Sequence, residues 1–164
     1  MRRDLPIVVF DTNIYIQAFL NSSGESGQCF SLASSGKIEL FITKPVLEEI
    51  VNVINRPSVL SFLPDATGEQ IEIFVSSISE MANVVEVPSG IFNFSRDPKD
   101  EIIVELAVGS EAEFIVTRDN DLLELMTGID LVSKQFRQRF RGLKVVEPKR
   151  FLQIISKSDL ALRS

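Results

Sequence analysis

The sequence predicts an α/β protein built on a parallel sheet. Three observations carry that expectation. Short runs rich in β-branched residues, at 7–10, 40–43, 84–87, 113–117 and 143–146, alternate with longer segments of helical period. The first and fourth runs end at or beside acids, Asp11 and Asp119, as strands of open α/β sheets do where ligands bind at their carboxyl ends. The 164 residues are 45% hydrophobic and 24% charged, enough apolar material for a sizeable core and ordinary for one globular domain spanning 1–164.

The elements follow in order. Ile7-Val8-Val9-Phe10 reads as a buried strand that runs straight into Asp11-Thr12-Asn13. Residues 13–20 are apolar almost all round and form a buried helix. A polar, glycine-bearing loop over 21–27 leads to a short helix over 28–34 and a strand over 40–43. Pro45 opens the next helix and Pro57 marks its end, with Val46, Leu47, Ile50, Val53 and Ile54 toward the core. At about 100° per residue Glu49 falls on the flank of that stripe and Glu48 nearer solvent. Thr67 and Gln70 have the spacing of a capping box before Ile71, Phe74, Val75 and Ile78, which repeat at helical spacing to about Met81. A strand at 84–87 and a loop over 88–96 follow. Asp97 suits an N-cap and Pro98 the first helical position, so Asp100 lies in the first turn, beside a core face of Ile102, Ile103, Leu106 and Ala107. After the strand at 113–117, Leu122, Leu123 and Leu125 continue a short helix. Phe136 and Phe140, set among basic residues, predict an extra amphipathic helix within about 126–142. A last strand at 143–146 and a closing helix from Pro148, burying Phe151, Leu152 and Ile155, complete the chain.

Composition excludes several chemistries. There is no histidine, which removes histidine general bases, Ser-His-Asp triads and the usual zinc sites. Cys29 is the only cysteine, so no disulfide forms within the chain. No apolar run approaches membrane-spanning length, and residues 5–10 are too short for a signal-peptide core; the expected location is the cytoplasm. The net charge of -6 is uneven. From Glu124 onward stand 9 of the 17 Lys and Arg but only 4 of the 23 acids, so an acidic body carries a basic tail. That tail suits a phosphate-binding edge, or simply a solvated basic helix.

Acid–base or metal chemistry in this chain therefore falls to carboxylates. Asp11 and Asp119 follow strands; Glu49 and Asp100 flank helix core faces. Each has a plainer reading as a cap, a surface acid or half of an ion pair, such as Asp11 with Arg118 or Lys99. Four carboxylates in one cleft would repel one another, and a divalent cation such as Mg²⁺ or Mn²⁺ removes that conflict. Such an ion activates water for attack on a phosphodiester without any histidine.

Four segments, Asp11-Thr12-Asn13, Pro45-Val46-Leu47-Glu48-Glu49-Ile50, Arg96-Asp97-Pro98-Lys99-Asp100 and Val116-Thr117-Arg118-Asp119-Asn120-Asp121-Leu122, in this order resemble the successive motifs of the PIN-domain family, in particular the toxin ribonucleases of toxin–antitoxin modules. The resemblance runs from about Ile7 to Ile155. It implies a Rossmann-like three-layer α/β/α sandwich and a metal-dependent ribonuclease acting on single-stranded RNA. It places Asp11, Glu49, Asp100 and Asp119 in the acidic quartet, Asp11, Asp100, Asp119 and the auxiliary Asp121 around Mg²⁺ or Mn²⁺, and Thr12, Asn13 and Thr117 as polar residues that order the site. It also implies a homodimer and a cognate antitoxin that holds the enzyme inactive. Arg118 departs from the small residue many relatives carry there. Arg118, with Lys134, Arg137 and Arg141 of the basic segment, is a candidate RNA contact. Two rivals remain: an aspartyl-phosphate phosphatase of the haloacid-dehalogenase type with Asp11 as nucleophile, which would need an acid where Asn13 stands, and a PIN fold that binds RNA or protein without cutting.

Overall fold

A computed structural model describes residues 5–93 and 97–163. Arg2, Arg3 and Arg96 lie outside the described residues. Five parallel strands form one sheet in the order β3-β2-β1-β4-β5. They are β1 (Ile7–Phe10), β2 (Glu39–Ile42), β3 (Asn83–Val84), β4 (Phe114–Val116) and β5 (Lys144–Val146). Helices α1 (Thr12–Leu20), α2 (Glu25–Ser34), α3 (Lys44–Ile54), α4 (Pro57–Leu60) and α5 (Gly68–Met81) lie on the path from β1 out to β3. Then α6 (Pro98–Gly109) crosses back to β4, α7 (Asn120–Thr127) and α8 (Leu131–Arg139) lead to β5, and α9 (Pro148–Arg163) closes the chain. By the right-handed rule for parallel crossovers, this strand order assigns the helices of the outward path to one face and α6 to α8 to the other. α9 returns to pack on α2. The result is the Rossmann-like three-layer α/β/α sandwich with a central parallel sheet.

Burial explains the strand sequences. Val8, Val9 and Phe10 are all within 1% of complete burial, so β1 is covered on both faces and tolerates no polar alternation. Aromatic contacts hold the layers. Phe19 and Phe30 each meet Phe74, drawing α1 and α2 onto α5. Phe114 of β4 meets Phe151 of α9. Phe136, fully buried, and Phe140 meet each other and Phe92, which anchors α8 against the segment before α6. The capping box of Thr67 and Gln70 is formed, as its spacing predicts.

The structure differs from the sequence reading in several places. β2 runs Glu39–Ile42 instead of 40–43, because Thr43 leaves the sheet to become the N-cap of α3, and of the residues expected inside α9 only Phe151 is buried, Leu152 and Ile155 being half-buried. β3 pairs only over Asn83–Val84, rather than 84–87, because β2 ends at Ile42, whose carbonyl takes the Val85 amide as the last bond before the chain turns into α3. α2 starts at Glu25 instead of residue 28: Gly24 takes the N-cap, and Ser26 and Gly27, which read as loop, sit inside the first turn. Pro57 ends α3 but also opens the one-turn helix α4. On α6 it is Val104, not Ile102, that is buried; Ile102 is 37% exposed. That helix is apolar on most sides, so periodicity alone did not choose its inner face. Among the described residues no helix is long and apolar enough to cross a membrane.

Candidate metal centre

The strand order decides where the acids meet. The chain leaves β1 toward β2 on one side and reaches β4 on the other, so the carboxyl ends of β1 and β4 flank a topological switch point, where open α/β sheets bind ligands. Asp11 directly follows β1 and caps α1. Its Oδ1 accepts from the Thr12 amide at 2.8 Å, and its Oδ2 accepts from the Thr117 hydroxyl at 2.7 Å. The same Thr117 oxygen accepts from the Asp119 amide at 2.9 Å. Asp119 in turn caps α7, accepting from the Asp121 amide at 2.8 Å. One fully buried hydroxyl thus locks the two strand ends into a common geometry.

Asp100 arrives from the other layer. Asp97 caps α6 by accepting from the Lys99 amide at 3.0 Å, and Pro98 opens the helix. α6 packs on β1, β2 and β4, which carries its first turn to the switch point. Asp100 is only 4% exposed, and its Oδ2 is buried without a hydrogen-bond partner. Carboxylate oxygens of Asp11, Asp100 and Asp119 lie within 4.8 Å of one another. Burial, then the charges of Asp119, Asp11, Asp97 and Asp121, push the Asp100 carboxyl up to about 7. Burial also raises Asp11, against the lowering effect of its bonds to Thr117 and Thr12.

This donor set fits a hard divalent cation. Oxygen ligands at about 2.0–2.6 Å from one ion lie up to roughly 5 Å apart. A buried carboxylate oxygen with no donor, beside two further acids, is a poor arrangement for a metal-free protein and a good one for a metal.

The remaining sequence candidates spread around this centre. Glu49 is half-buried on α3; it accepts from the Thr12 hydroxyl at 3.4 Å and lies 3.8 Å from the Lys99 ammonium. Thr12 thereby supports both Asp11, through its amide, and Glu49, through its hydroxyl. Asp121 is half-buried next to Asp119, and Asn13 is exposed. The expected alternative of Asp11 paired with Arg118 or Lys99 does not occur: Arg118 lies 3.6 Å from Glu25, and Lys99 goes to Glu49. Lys134 and Arg141 are exposed. Arg137 is half-buried and donates to the Leu125 and Gly128 carbonyls at 2.9 and 2.7 Å, which ties α8 to the end of α7. Two residues near the centre escaped the sequence reading. Lys99, which the sequence offers only as a partner for Asp11, stands beside Glu49 instead. Thr43, buried at the end of β2, read as one more β-branched strand residue. Its place beside a strand end, like Thr117, was the signal available.

A hydroxyl-braced set of three carboxylates, at the switch point of a parallel sheet, defines a protein able to hold a divalent cation where a ligand enters. The PIN domain, a nuclease superfamily, matches residues 7–121, and the chain belongs to the PIN-domain family. The matched span holds all four acidic motifs and ends before α8, β5 and α9. The chain is also similar to an uncharacterized protein of Methanocaldococcus jannaschii, 29% identical over 150 residues, which are 92% of each chain.

Proposed function

We propose that this protein is a metal-dependent endoribonuclease that cleaves single-stranded RNA with Mg²⁺ or Mn²⁺, and that it is the toxin of a toxin–antitoxin pair. The observation that carries the nuclease reading is the approach of Asp11, Asp100 and Asp119 within 4.8 Å around a buried, unsatisfied Asp100 oxygen. The toxin assignment is supported by the order of the four motifs along the chain.

In this reading Asp11, Asp100 and Asp119 hold the ion, with Asp121 as an auxiliary acid. When bound, the ion polarises the phosphoryl oxygen and lowers the pKa of a bound water. Thr117 and the Thr12 amide hold Asp11 in one rotamer. Glu49, steadied by the Thr12 hydroxyl and Lys99, accepts a proton from the attacking water. Asn13, at the exposed rim, is a further polar residue that orders the site. Arg118, Lys134 and Arg141 meet RNA phosphates, and Arg137 holds the basic helix in place and supplements them. The protein works in the cytoplasm as a homodimer of single-domain chains. A cognate antitoxin covers the site, and the α8 segment is a basic insertion in the domain.

The test is cleavage of a mixed single-stranded RNA pool in Mn²⁺ or Mg²⁺, comparing the wild type with Asp100→Asn after both are shown to be folded. Metal-dependent cutting lost in the variant is expected. Equal products from both proteins would sink the assignment. RNA binding without cutting by either would leave a non-catalytic PIN module.

A further inference from the structure

The sheet register points to a substrate contact at Thr43, an inference that deepens the nuclease reading and rests on it. β1 pairs Ile7 with Glu39 and Val8 with Leu40, and pairs Val8 with Phe114 and Phe10 with Val116. Extended three residues beyond Val8–Leu40 and one beyond Phe10–Val116, this register sets Thr43, Asp11 and Thr117 in one row. Backbone bonds carry the two outer pairings past their strand ends: the Asp11 amide donates to the Val116 carbonyl of β4 at 3.0 Å, and the Val85 amide after β3 donates to the Ile42 carbonyl of β2 at 2.9 Å. Residues of one row project from the same face, on strands about 4.8 Å apart. Thr117 reaches Asp11 from the β4 side. Thr43 occupies the matching place on the β2 side.

Two further features set Thr43 apart. It is 5% exposed, and its hydroxyl oxygen is buried with no hydrogen-bond partner. It is also the N-cap of α3, with extended backbone at φ -106° and ψ 160°, yet its side chain makes no cap bond. A threonine at an N-cap normally gives its oxygen to the first-turn amides, as Thr67 does for α5. A buried hydroxyl with no partner weakens the fold, and a valine of the same shape would remove that cost. Meanwhile α3, eleven residues long, brings its positive end to the same edge as the acidic cluster.

We propose that the Thr43 hydroxyl donates a hydrogen bond to a non-bridging oxygen of the RNA phosphate that is to be cleaved. Asp11, Asp100 and Asp119 offer only acceptors, so a phosphate beside them needs donors from elsewhere. A hydroxyl supplies one without adding a positive charge that would compete with the metal. The α3 N-terminus favours the same anionic oxygen.

Thr43→Val and Thr43→Ser are the test, read in three ways: thermal stability without metal, RNA cleavage in Mn²⁺, and affinity for a fluorescent single-stranded RNA with Ca²⁺ in place of Mn²⁺. The valine variant should melt no lower than the wild type. It should cut at least about 10-fold more slowly, the scale of one hydrogen bond to a charged group. It should bind the labelled RNA more weakly and hold Mn²⁺ unchanged. The serine variant should keep most of the activity. Unchanged cleavage and RNA affinity in the valine variant would overturn the proposal. So would a lower melting point, which would reveal a structural partner for the hydroxyl, or a loss of Mn²⁺ affinity, which would place it on the metal. If the wild type binds RNA but cuts none, the nuclease reading fails, and weakened binding by the valine variant still upholds the Thr43 contact. If it binds none, both fall.

Discussion

Replacing Asp100 with asparagine should stabilise the metal-free protein, and increasingly so as pH rises. Asp100 is buried, one of its oxygens has no donor, and its carboxyl titrates at about 7 against an ordinary 3.8. The folded state therefore holds a proton that the unfolded chain has already released between those two values. Stability from this group is complete below about pH 4 and is lost as pH rises through about 7. The loss over that window is on the order of 4 kcal/mol. Asparagine has nearly the same shape, never ionises, and offers an amide that can donate to Asp11 or Asp119. Urea denaturation of both proteins in EDTA should show equal stability near pH 4, with the variant ahead by a few kcal/mol at pH 8. Differencing the two proteins removes the titration of carboxylates far from the site, while the relief of Asp119 and Asp11 from the Asp100 charge is part of the difference. Adding Mn²⁺ at pH 8 should reverse the order, because only the wild type gains the binding energy. A stability difference that does not change with pH, or an Asp100→Asn variant that is the weaker at pH 8 without metal, would refute the reasoning.

Three further outcomes are expected. Saturating Mn²⁺ at pH 8 should raise the wild-type melting point, by about 2.7 kcal/mol of stability at 100 times the Kd, and EDTA should reverse it. Differential scanning fluorimetry measures this, and no shift at any Mn²⁺ concentration would count against a metal centre. Thr117→Val strips a donor from Asp11 and an acceptor from the Asp119 amide. It should cost about 1–3 kcal/mol in chemical denaturation and weaken Mn²⁺ binding in calorimetry; a neutral result in both would show that the bridge does not organise the site. Phe136→Ala removes the fully buried ring that meets Phe92 and Phe140. It should cost about 3–5 kcal/mol of stability while leaving the metal affinity of the folded fraction intact, which denaturation and Mn²⁺ titration together would check.

Much of this architecture is legible because each element's local chemistry agrees with its neighbours. β1 is a run of β-branched and aromatic residues because both faces are covered, and Asp97-Pro98 starts α6 because an acid accepts amide hydrogens while proline needs no partner for a missing one. Helical arithmetic separates Glu49, which is half-buried, from Glu48, which is exposed, because α3 has a narrow apolar stripe. The same arithmetic misplaces Ile102 because α6 is apolar on most sides and only its neighbours choose the inner face. The convergence of Asp11, Asp100 and Asp119 is harder still to see, since it depends on the order β3-β2-β1-β4-β5, which no local pattern encodes. Without motif resemblance, each acid reads as well as a cap, and Asp11 and Asp119 are caps in fact. The two roles reinforce one another. Asp11 caps α1 through Oδ1 while its Oδ2 takes the Thr117 hydroxyl, and Asp119 caps α7 through Oδ1, so the bonds that start α1 and α7 also orient the carboxylates. Thr43 is the inverse case: a capping position whose side chain does no capping, and so one whose chemistry only the register reveals.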